Sequence, residues 1–270
     1  MTPNKPLLFI LFLIFSGELV RAQHAPVGEP SWELGVMLGG AGYMGDLNQN
    51  NPLKFSGLSA GAYAKRNFNQ YLGVRLNYTY GQVKADDANS SNEQFRERNL
   101  RFKTSLNEFS GIVDFNFFNF NLGGGTRQFT PYLFAGVGMV IFKPTVKVDG
   151  DRYRLDRLAT EGQENGYKNV VLTIPYGLGL RYNYKDTWSV FSELGYRTPS
   201  TDYIDDVSGR YPANPVFVGN GQNRVNLSDP SVNQIGQPGT QRGDFRKRDT
   251  YLFVSVGISF TFVSSKCYSF

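Results

Sequence analysis

The chain has 270 residues, a formal net charge of +5, one histidine and one cysteine. These counts exclude a metal site built from His and Cys ligands, and they disfavour hydrolysis that depends on a histidine base, because His24 lies outside every predicted strand. The mild positive charge is weak evidence for any anionic partner, and nothing indicates nucleic acid. We therefore expect a non-enzymatic protein without a cofactor.

The first 22 residues predict a secretory signal peptide. Lys5 supplies a positive charge, residues 6–15 form an apolar run too short for a membrane helix, and residues 20–22 offer a cleavage site before Gln23. We expect residues 23–270 to form one domain. No later segment is continuously apolar, so a mature chain in a membrane must be a closed barrel, because only helices and closed barrels satisfy their backbone in lipid.

Eight later stretches alternate apolar and polar residues, as strands do when one face meets lipid and the other a lumen. In chain order, the predicted strands are residues 32–44, 55–67, 71–83, 105–117, 131–142, 174–184, 188–198 and 251–262. Small residues leave the facing of the second ambiguous, and the fifth is apolar on both faces. The last is the clearest, since soluble strands average about 5–6 residues whereas a tilted bilayer crossing needs about 9–11.

The connections between these strands alternate in length. The short ones are residues 67–70, 119–128 and 185–187, and the long ones are residues 45–54, 84–104, 143–170 and 199–248. This alternation predicts an eight-stranded antiparallel transmembrane β-barrel of OmpA/OmpX-like size, with short periplasmic turns and long extracellular loops, in the outer membrane of a diderm bacterium. A soluble β-sandwich is less favoured, because it has no reason to sort its loops in this way.

Seven charged side chains fall on lumen-facing positions of these strands. They are Glu33, Arg75, Glu108, Asp114, Arg181, Glu193 and Arg197. The carboxylates could indicate acid–base chemistry, but a barrel of eight strands is just wide enough to be filled by its own side chains. Ion pairing satisfies such an interior, because unpaired buried charges are costly. We favour this structural interpretation and expect no conductance.

Two charged groups stand out in the last long loop. Asp202, Asp205 and Asp206 could bind calcium but lack the spacing of a dedicated calcium loop, so a solvated turn is the favoured interpretation. A basic group follows, formed by Arg242, Arg246, Lys247 and Arg248. It could lie near anionic headgroups at the barrel mouth, and ordinary loop charge explains it nearly as well.

The last strand resembles the signal that the barrel insertase recognises during assembly. Polar residues and a glycine precede alternating large apolar residues that end in an aromatic one, with Gly257, Ile258, Phe260 and Phe262 at the key positions. We expect the insertase to be an assembly partner.

Four stretches, residues 32–48, 96–108, 160–163 and 201–208 (TDYIDDVS), together resemble the PorG-like outer-membrane proteins of Bacteroidetes. The motif positions are Gly45, Asp46, Leu47, Thr160, Glu161, Gly162, Gln163, Thr201, Asp202, Tyr203, Asp205, Asp206 and Ser208. The resemblance implies a barrel of the type IX secretion and gliding machinery, associated with the periplasmic ring that the lipoprotein PorK forms with PorN. The chain departs from the family in a long polar insertion at residues 211–248 and in its apolar fifth strand.

A second function class remains open. A generic small barrel of the OmpA, OmpX or OmpW kind would act in adhesion or surface defence through its extracellular loops. Composition and periodicity do not separate this alternative from a secretion subunit, and an enzyme is a distant third.

Overall fold

The computed structural model describes residues 30–49, 51, 54–120, 127–164, 166–185, 187–219, 224–244 and 246–262. The predicted signal peptide, His24, most of the turn at 119–128 and the tail 263–270 lie outside these residues.

The described chain consists almost entirely of strands and loops. In chain order its elements are β1 (Ser31–Met44), β2 (Phe55–Asn67), β3 (Leu72–Asp86), α1 (Glu93–Arg98), β4 (Arg101–Asn116), β5 (Phe129–Val148), β6 (Asp151–Arg154), β7 (Val170–Lys185), β8 (Trp188–Pro199), β9 (Phe217–Val218), β10 (Val225–Asn226) and β11 (Thr250–Phe262). Two single 3₁₀ turns add Asp87–Asn89 and Leu155–Arg157. No helix in the described part of the chain is long and apolar enough to cross a membrane.

Eight of the strands close into a barrel. Their order around the wall is β4-β3-β2-β1-β11-β8-β7-β5, and β5 pairs with β4 to complete the circle. All pairings are antiparallel, and β1 joins β11 in register from Trp32↔Phe262 to Met44↔Thr250. The predicted fold class is therefore confirmed, with long loops at one end of the barrel and short turns at the other.

The strands extend further at the loop end than the alternation predicts. β3 continues to Asp86, β4 begins at Arg101 and β5 runs to Val148, so parts of the predicted long loops are barrel wall. The outward positions of these extensions carry charged residues in place of apolar ones. The apolar alternation therefore ends at the membrane surface while the backbone pairing continues above it.

The outer surface of the barrel is a continuous apolar band. Outward side chains on all eight strands are exposed, and Leu38, Leu58, Leu76 and Val137 each expose more than two thirds of their surface. Aromatic rings gather near the turn end, where Trp188, Phe260 and Phe262 contact one another with centroids 5.0–5.1 Å apart. Such a band on a closed barrel with aromatic residues at its border is a lipid-facing surface, so the protein is an outer-membrane barrel.

The interior is divided along the barrel axis. The turn half contains most of the charged lumen residues, whereas the loop half contains an apolar core that includes Ala41, Leu106, Val140 and Phe142. Glu108 and Arg197 lie beside this core, because they are paired with Val140 and Tyr251 of the neighbouring strands. This division explains why β5 is apolar on both faces. Its outer face meets lipid, and its inner face in the loop half packs into the core.

Candidate functional site

The charged side chains of the lumen form an electrically balanced network. It contains four carboxylates and four cations among the described residues: Glu33, Glu108, Asp114 and Glu193, and Lys65, Arg75, Arg181 and Arg197. All eight are buried, including the seven predicted to face the lumen. Burying an ion without a partner costs several kcal/mol, so this balance is what lets a narrow barrel keep charges inside.

Each lumen carboxylate is held by a cation, and three are also held by a tyrosine. Asp114 lies between Lys65 (Nζ to Oδ2, 2.8 Å) and Arg75 (Nε to Oδ1, 3.2 Å). Arg75 also reaches Glu193 at 2.6 Å, and Tyr132 donates a hydrogen bond to the same Glu193 oxygen at 2.6 Å. Tyr63 donates similarly to Glu33, and Tyr251 to Glu108. Carboxylates bound in this way fill and brace the wall.

Lys65 is a lumen residue that the sequence analysis did not include. The small residues of β2 obscure its facing, and the structure places Tyr63, Lys65 and Asn67 inside the barrel. The charge balance could have indicated this residue, because the seven predicted lumen residues comprise four acids and only three bases. The fourth base is Lys65.

Above the lumen, the segments that carried the family resemblance meet in one closed structure, which we call the cap. Segments 160–163 and 201–208 lie in it together with the end of segment 32–48, and segment 96–108 contributes the buried Arg98. The cap consists of residues 45–48, 160–163, 201–209, Arg98, Arg242 and Asp249. Its centre is residues 201–208, which enter the barrel mouth so that Ile204 and Val207 join the apolar core. Thr104 of the wall donates a hydrogen bond to the Ile204 carbonyl at 2.6 Å, and the Ile204 amide donates to Asp249 at 2.9 Å. The mouth is thereby closed by the chain itself.

Arg242 connects two long loops within the cap. Its Nη1 contacts Glu161 Oε1 at 2.9 Å and the Asp206 carbonyl at 2.7 Å. The same Glu161 oxygen accepts hydrogen bonds from the Ser208 and Gly209 amides at 3.0 and 3.2 Å. Glu161 thus holds the loop after β5 and β6 against the loop after β8.

The other motif residues complete the same unit. Thr160 and Tyr167 donate hydrogen bonds to Asp206 at 2.6 and 2.7 Å, and Tyr203 stacks on Tyr167 with ring centroids 4.4 Å apart. Leu47 is buried in the core, Gly162 adopts the left-handed backbone conformation that favours glycine, and Gln163 and Thr201 accept hydrogen bonds from nearby amides.

The end of β1 enters the cap at Gly45. A side chain at this position would collide with the Asp249 carboxylate and with the Tyr43 ring, so glycine permits the close approach. The next residue, Asp46, accepts a hydrogen bond from the Asp244 amide, and its carbonyl accepts one from Arg98 at 3.1 Å. Arg98 itself is paired with Asp87 at 2.7 Å.

The cap contains four buried aspartates, Asp46, Asp202, Asp205 and Asp249, that form no ion pair with the described residues. Burial, reinforced by Asp244, raises the pKa of Asp46 to about 7, and burial raises the pKa of Asp202 to about 6. Burial and neighbouring carboxylates also raise the pKa values of Asp205 and Asp249. Burial therefore favours the protonated forms of these four carboxyl groups.

Three of these aspartates, Asp46, Asp202 and Asp249, can each offer a carboxylate oxygen within 4.8 Å of the others. Calcium takes six to eight oxygen ligands, so three carboxylates would supply only part of a coordination shell. Of the aspartates that the sequence analysis weighed for calcium, only Asp202 belongs to this group. Asp205 accepts a hydrogen bond from Tyr43, and Asp206 is bound by Thr160 and Tyr167.

Comparison with known proteins identifies the family. A family model matches residues 5–270. The chain belongs to the DUF6089 family, described as a domain of unknown function. No curated protein matches the chain.

Solved structures similar to this DUF6089 chain are small outer-membrane proteins. Neisserial surface protein A is 11% identical with a TM-score of 0.43, covering 86% of this chain and 97% of that one. A major outer membrane protein from Thermus thermophilus is 13% identical with a TM-score of 0.40, covering 86% and 99%. OprG from Pseudomonas aeruginosa is 12% identical with a TM-score of 0.39, covering 88% and 99%. Similarities of this size transfer no function.

The structure corrects two predictions about the last long loop of the DUF6089 chain. The prediction of a solvated turn at Asp202, Asp205 and Asp206 is wrong, because these residues are only 8%, 2% and 1% exposed. The basic group is divided. Arg242 is buried in the cap, whereas Arg246, Lys247 and Arg248 are exposed and Arg246 pairs with Asp244 at 2.9 Å. The polar insertion at 211–248 therefore contributes Arg242 to the cap, whereas Val232 and Ile235 on the same insertion are exposed.

The predicted insertion signal lies on the lipid-facing row of β11. Ile258, Phe260 and Phe262 point outward, and Gly257 points inward where a side chain would collide with Phe191. Recognition by the insertase stays a prediction. We expect Phe262→Asp to abolish membrane insertion, measured as the amount of barrel in the outer-membrane fraction.

Proposed function

We propose that this protein is a non-enzymatic outer-membrane subunit of the type IX secretion and gliding machinery and that it associates with the PorK/PorN ring. The observation that carries the proposal is the convergence of the resembling segments. Residues 160–163 and 201–208 are far apart in the sequence, yet they bond to one another in the cap. Leu47 packs in the same apolar core as Ile204, and Arg98 of segment 96–108 donates a hydrogen bond to the Asp46 carbonyl. Chance similarities in short motifs would not be expected to meet in a single unit.

The interior supports a role as an anchor. Ile204 and Val207 fill the barrel mouth, and the ion-pair network lies in the lumen below them. We infer that secreted proteins do not pass through this barrel. Its contribution would be to hold or close an assembly at the membrane.

Contacts with a periplasmic ring must come from the turn end. The turn between β2 and β3 is tightly closed, because Asn69 Oδ1 accepts hydrogen bonds from the Tyr71 and Leu72 amides at 2.8 and 2.7 Å. The turn 119–128 and the tail 263–270 contain more residues than the turn between β2 and β3. The exposed residues Phe117 and Phe118 lie next to the turn 119–128. We propose that this turn and the tail carry the partner surface.

The test is co-purification of PorK and PorN from solubilised outer membrane. Replacing Gly123, Gly124 and Gly125 with serine and deleting residues 263–270 should together lower ring recovery without lowering barrel abundance. The control is Val232→Ser, which alters a 92% exposed residue at the opposite end and should leave recovery unchanged. Unchanged recovery with the double variant would contradict the proposed surface.

The alternative, adhesion or surface defence, is favoured by one observation. Exposed apolar residues Phe217, Val232 and Ile235 lie on the loop after β8, outside the lipid-facing wall. If this surface is the functional one, Val232→Asp combined with Ile235→Asp should lower binding of whole cells to host or surface ligands while secretion continues. Loss of secretion with intact binding would favour the ring subunit.

A further inference from the structure

A cationic crevice lies on the outer wall of the barrel at its extracellular end. It crosses the neighbouring strands β2, β3, β4 and β5. Six exposed cations line it or lie directly beside it: Lys54, Lys84, Arg101, Lys103, Lys143 and Lys147. Asp86 is the one carboxylate among the described residues in its lining. The crevice is thus a strongly basic site on a wall that is otherwise apolar.

The crevice forms because one strand leaves its neighbour. The β2–β3 ladder ends at Ser59↔Gly81, and above that point the Lys84 amide is satisfied by the Ser56 hydroxyl at 3.1 Å. β3, β4 and β5 stay paired and continue upward, with Lys84 opposite Lys103 and Lys103 opposite Thr145. The gap beside β2 therefore opens next to three strands that bear cations.

The cations continue the lipid-facing rows of the barrel. On β4 the outward row runs from Val113 and Phe109 to Lys103 and Arg101, because every second residue shares a face. On β5 it runs likewise from Val137 and Met139 through Ile141 to Lys143 and Lys147. The charged groups therefore lie directly above side chains that contact acyl chains, at the level of the headgroups.

The opposite half of the wall differs. Among the described residues of β7, β8, β11 and β1, no outward position in the loop half carries Lys or Arg; Leu172, Thr198 and Thr250 are typical there. A general requirement for positive charge at the membrane surface would place cations all around the barrel. The concentration on three adjacent strands and on Lys54 just before β2 indicates a specific ligand on that side.

The positive charges of the crevice are not neutralised by carboxylates of the described residues. Lys84 and Lys103 are direct cross-strand neighbours, and like charges in such pairs repel. Arg101 donates a hydrogen bond to the Lys147 carbonyl at 3.1 Å, which holds those two strand ends together. None of the six cations forms an ion pair with the described residues. An anion from outside the chain would relieve this repulsion.

We propose that the crevice binds the phosphorylated headgroup of an outer-leaflet glycolipid of the lipid A type. Lysine and arginine side chains bind phosphate through charge-assisted hydrogen bonds. The adjacent apolar rows accommodate the acyl chains of the same molecule, which a soluble anion would leave uncovered. The site lies on the lipid-facing wall, so it is independent of the cap and of any ring contact.

The test is native mass spectrometry of the detergent-solubilised full-length barrel with diphosphorylated hexa-acyl lipid A. K84Q/K103Q should weaken lipid binding about tenfold or more, since each basic residue near an anionic headgroup contributes about fivefold. K84R/K103R should keep the affinity. The matched control K168Q/R210Q removes the same charge from exposed positions outside the crevice and should change the affinity less than about twofold.

Three outcomes would overturn the proposal. One is equal weakening by the crevice and control variants, which would mean non-specific charge attraction. Another is undiminished binding of dephosphorylated lipid A. The third is displacement of lipid A by millimolar inorganic phosphate, which would indicate a site for free anions. The heat-dependent gel shift of the folded barrel verifies that each variant is folded, as expected for outward-facing substitutions.

Discussion

The lumen and the cap both bury charged side chains, but they neutralise them differently. In the lumen, four carboxylates meet four cations, and each acid is within 3.4 Å of a base. In the cap, Arg98 and Arg242 pair with Asp87 and Glu161, and four further aspartates have no cation among the described residues. The lumen carboxylates are neutralised by cations, whereas burial raises the pKa values of the unpaired cap carboxylates.

The position of each region relative to the membrane explains the difference. Lumen residues lie at membrane depth, where an excess charge has no water or counterion to stabilise it. The cap lies above the membrane and borders water, so its carboxylates can exchange protons with the medium. A protein can therefore leave carboxylates unpaired in an extracellular cap but not inside a narrow barrel.

The largest expected effect comes from breaking a lumen pair. Glu108→Leu leaves Arg197 buried without its carboxylate, which should cost about 3–5 kcal/mol of barrel stability. The double variant Glu108→Leu/Arg197→Met removes both charges and should recover most of that loss. Urea unfolding of the barrel in vesicles measures both. Equal destabilisation by the single and the double variant would show that pairing is not what stabilises the lumen.

Removing Arg242, which connects two loops of the cap, should lower stability less than breaking a lumen pair, and the effect should stay within the loops. Arg242→Met leaves Glu161 and Asp206 without their cation, but both keep their hydrogen bonds from neighbouring donors, so we expect a cost of about 1–3 kcal/mol. The loop after β8 should become sensitive to protease while the urea midpoint of the barrel stays unchanged. Arg210→Met, an exposed residue in the same loop, is the control. A shifted barrel midpoint would mean that cap and wall unfold together.

The cap should also respond to pH. The pKa values of Asp46 and Asp202 in the folded cap, about 7 and about 6, exceed the unfolded value of about 3.9, so the folded cap binds more protons. Their stabilising contribution is complete below about pH 4 and is lost as the pH rises through 6 and 7. Hydrogen-exchange protection of residues 201–208 should be lower at pH 8 than at pH 5. Asp46→Asn should flatten this dependence, and a pH-independent wild type would refute it.

The smallest expected effect comes from an Asp→Asn substitution in the cap, which we compare with the same substitution in the lumen. Asp202→Asn removes an unpaired charge and keeps an oxygen that can accept the Ser208 hydrogen bond, so at pH 8 it should stabilise the cap by about 1 kcal/mol or less. Asp114→Asn removes a paired charge and should destabilise the barrel. Protease resistance of the loops and urea unfolding report the two results. If Asp202→Asn destabilised the cap at pH 8, its carboxylate would have an ionic partner.

The sequence by itself determined the number of barrel strands, the facing of most of them, the sorting of loops and turns, and seven of the eight lumen charges. These features depend on an alternation of period two, which each strand carries locally and which lipid on one side enforces. Lys65 escaped because small neighbours leave β2 without a clear apolar face. The charged outward rows of β3, β4 and β5 likewise concealed how far those strands extend.

Only the tertiary structure decided the cap. Asp202, Asp205 and Asp206 have the composition of a solvated turn, and their burial depends on Gly45, Glu161 and Arg242, which come from other parts of the loops. No local pattern records that these segments meet, because the barrel brings the loop ends together only when the first strand, β1, pairs with the last, β11. The pairing of β3 with β4 and of β4 with β5 aligns the lysines of separate strands beside the crevice. Strand alternation is a local property of the chain, whereas the pairing of charges is a property of the closed barrel.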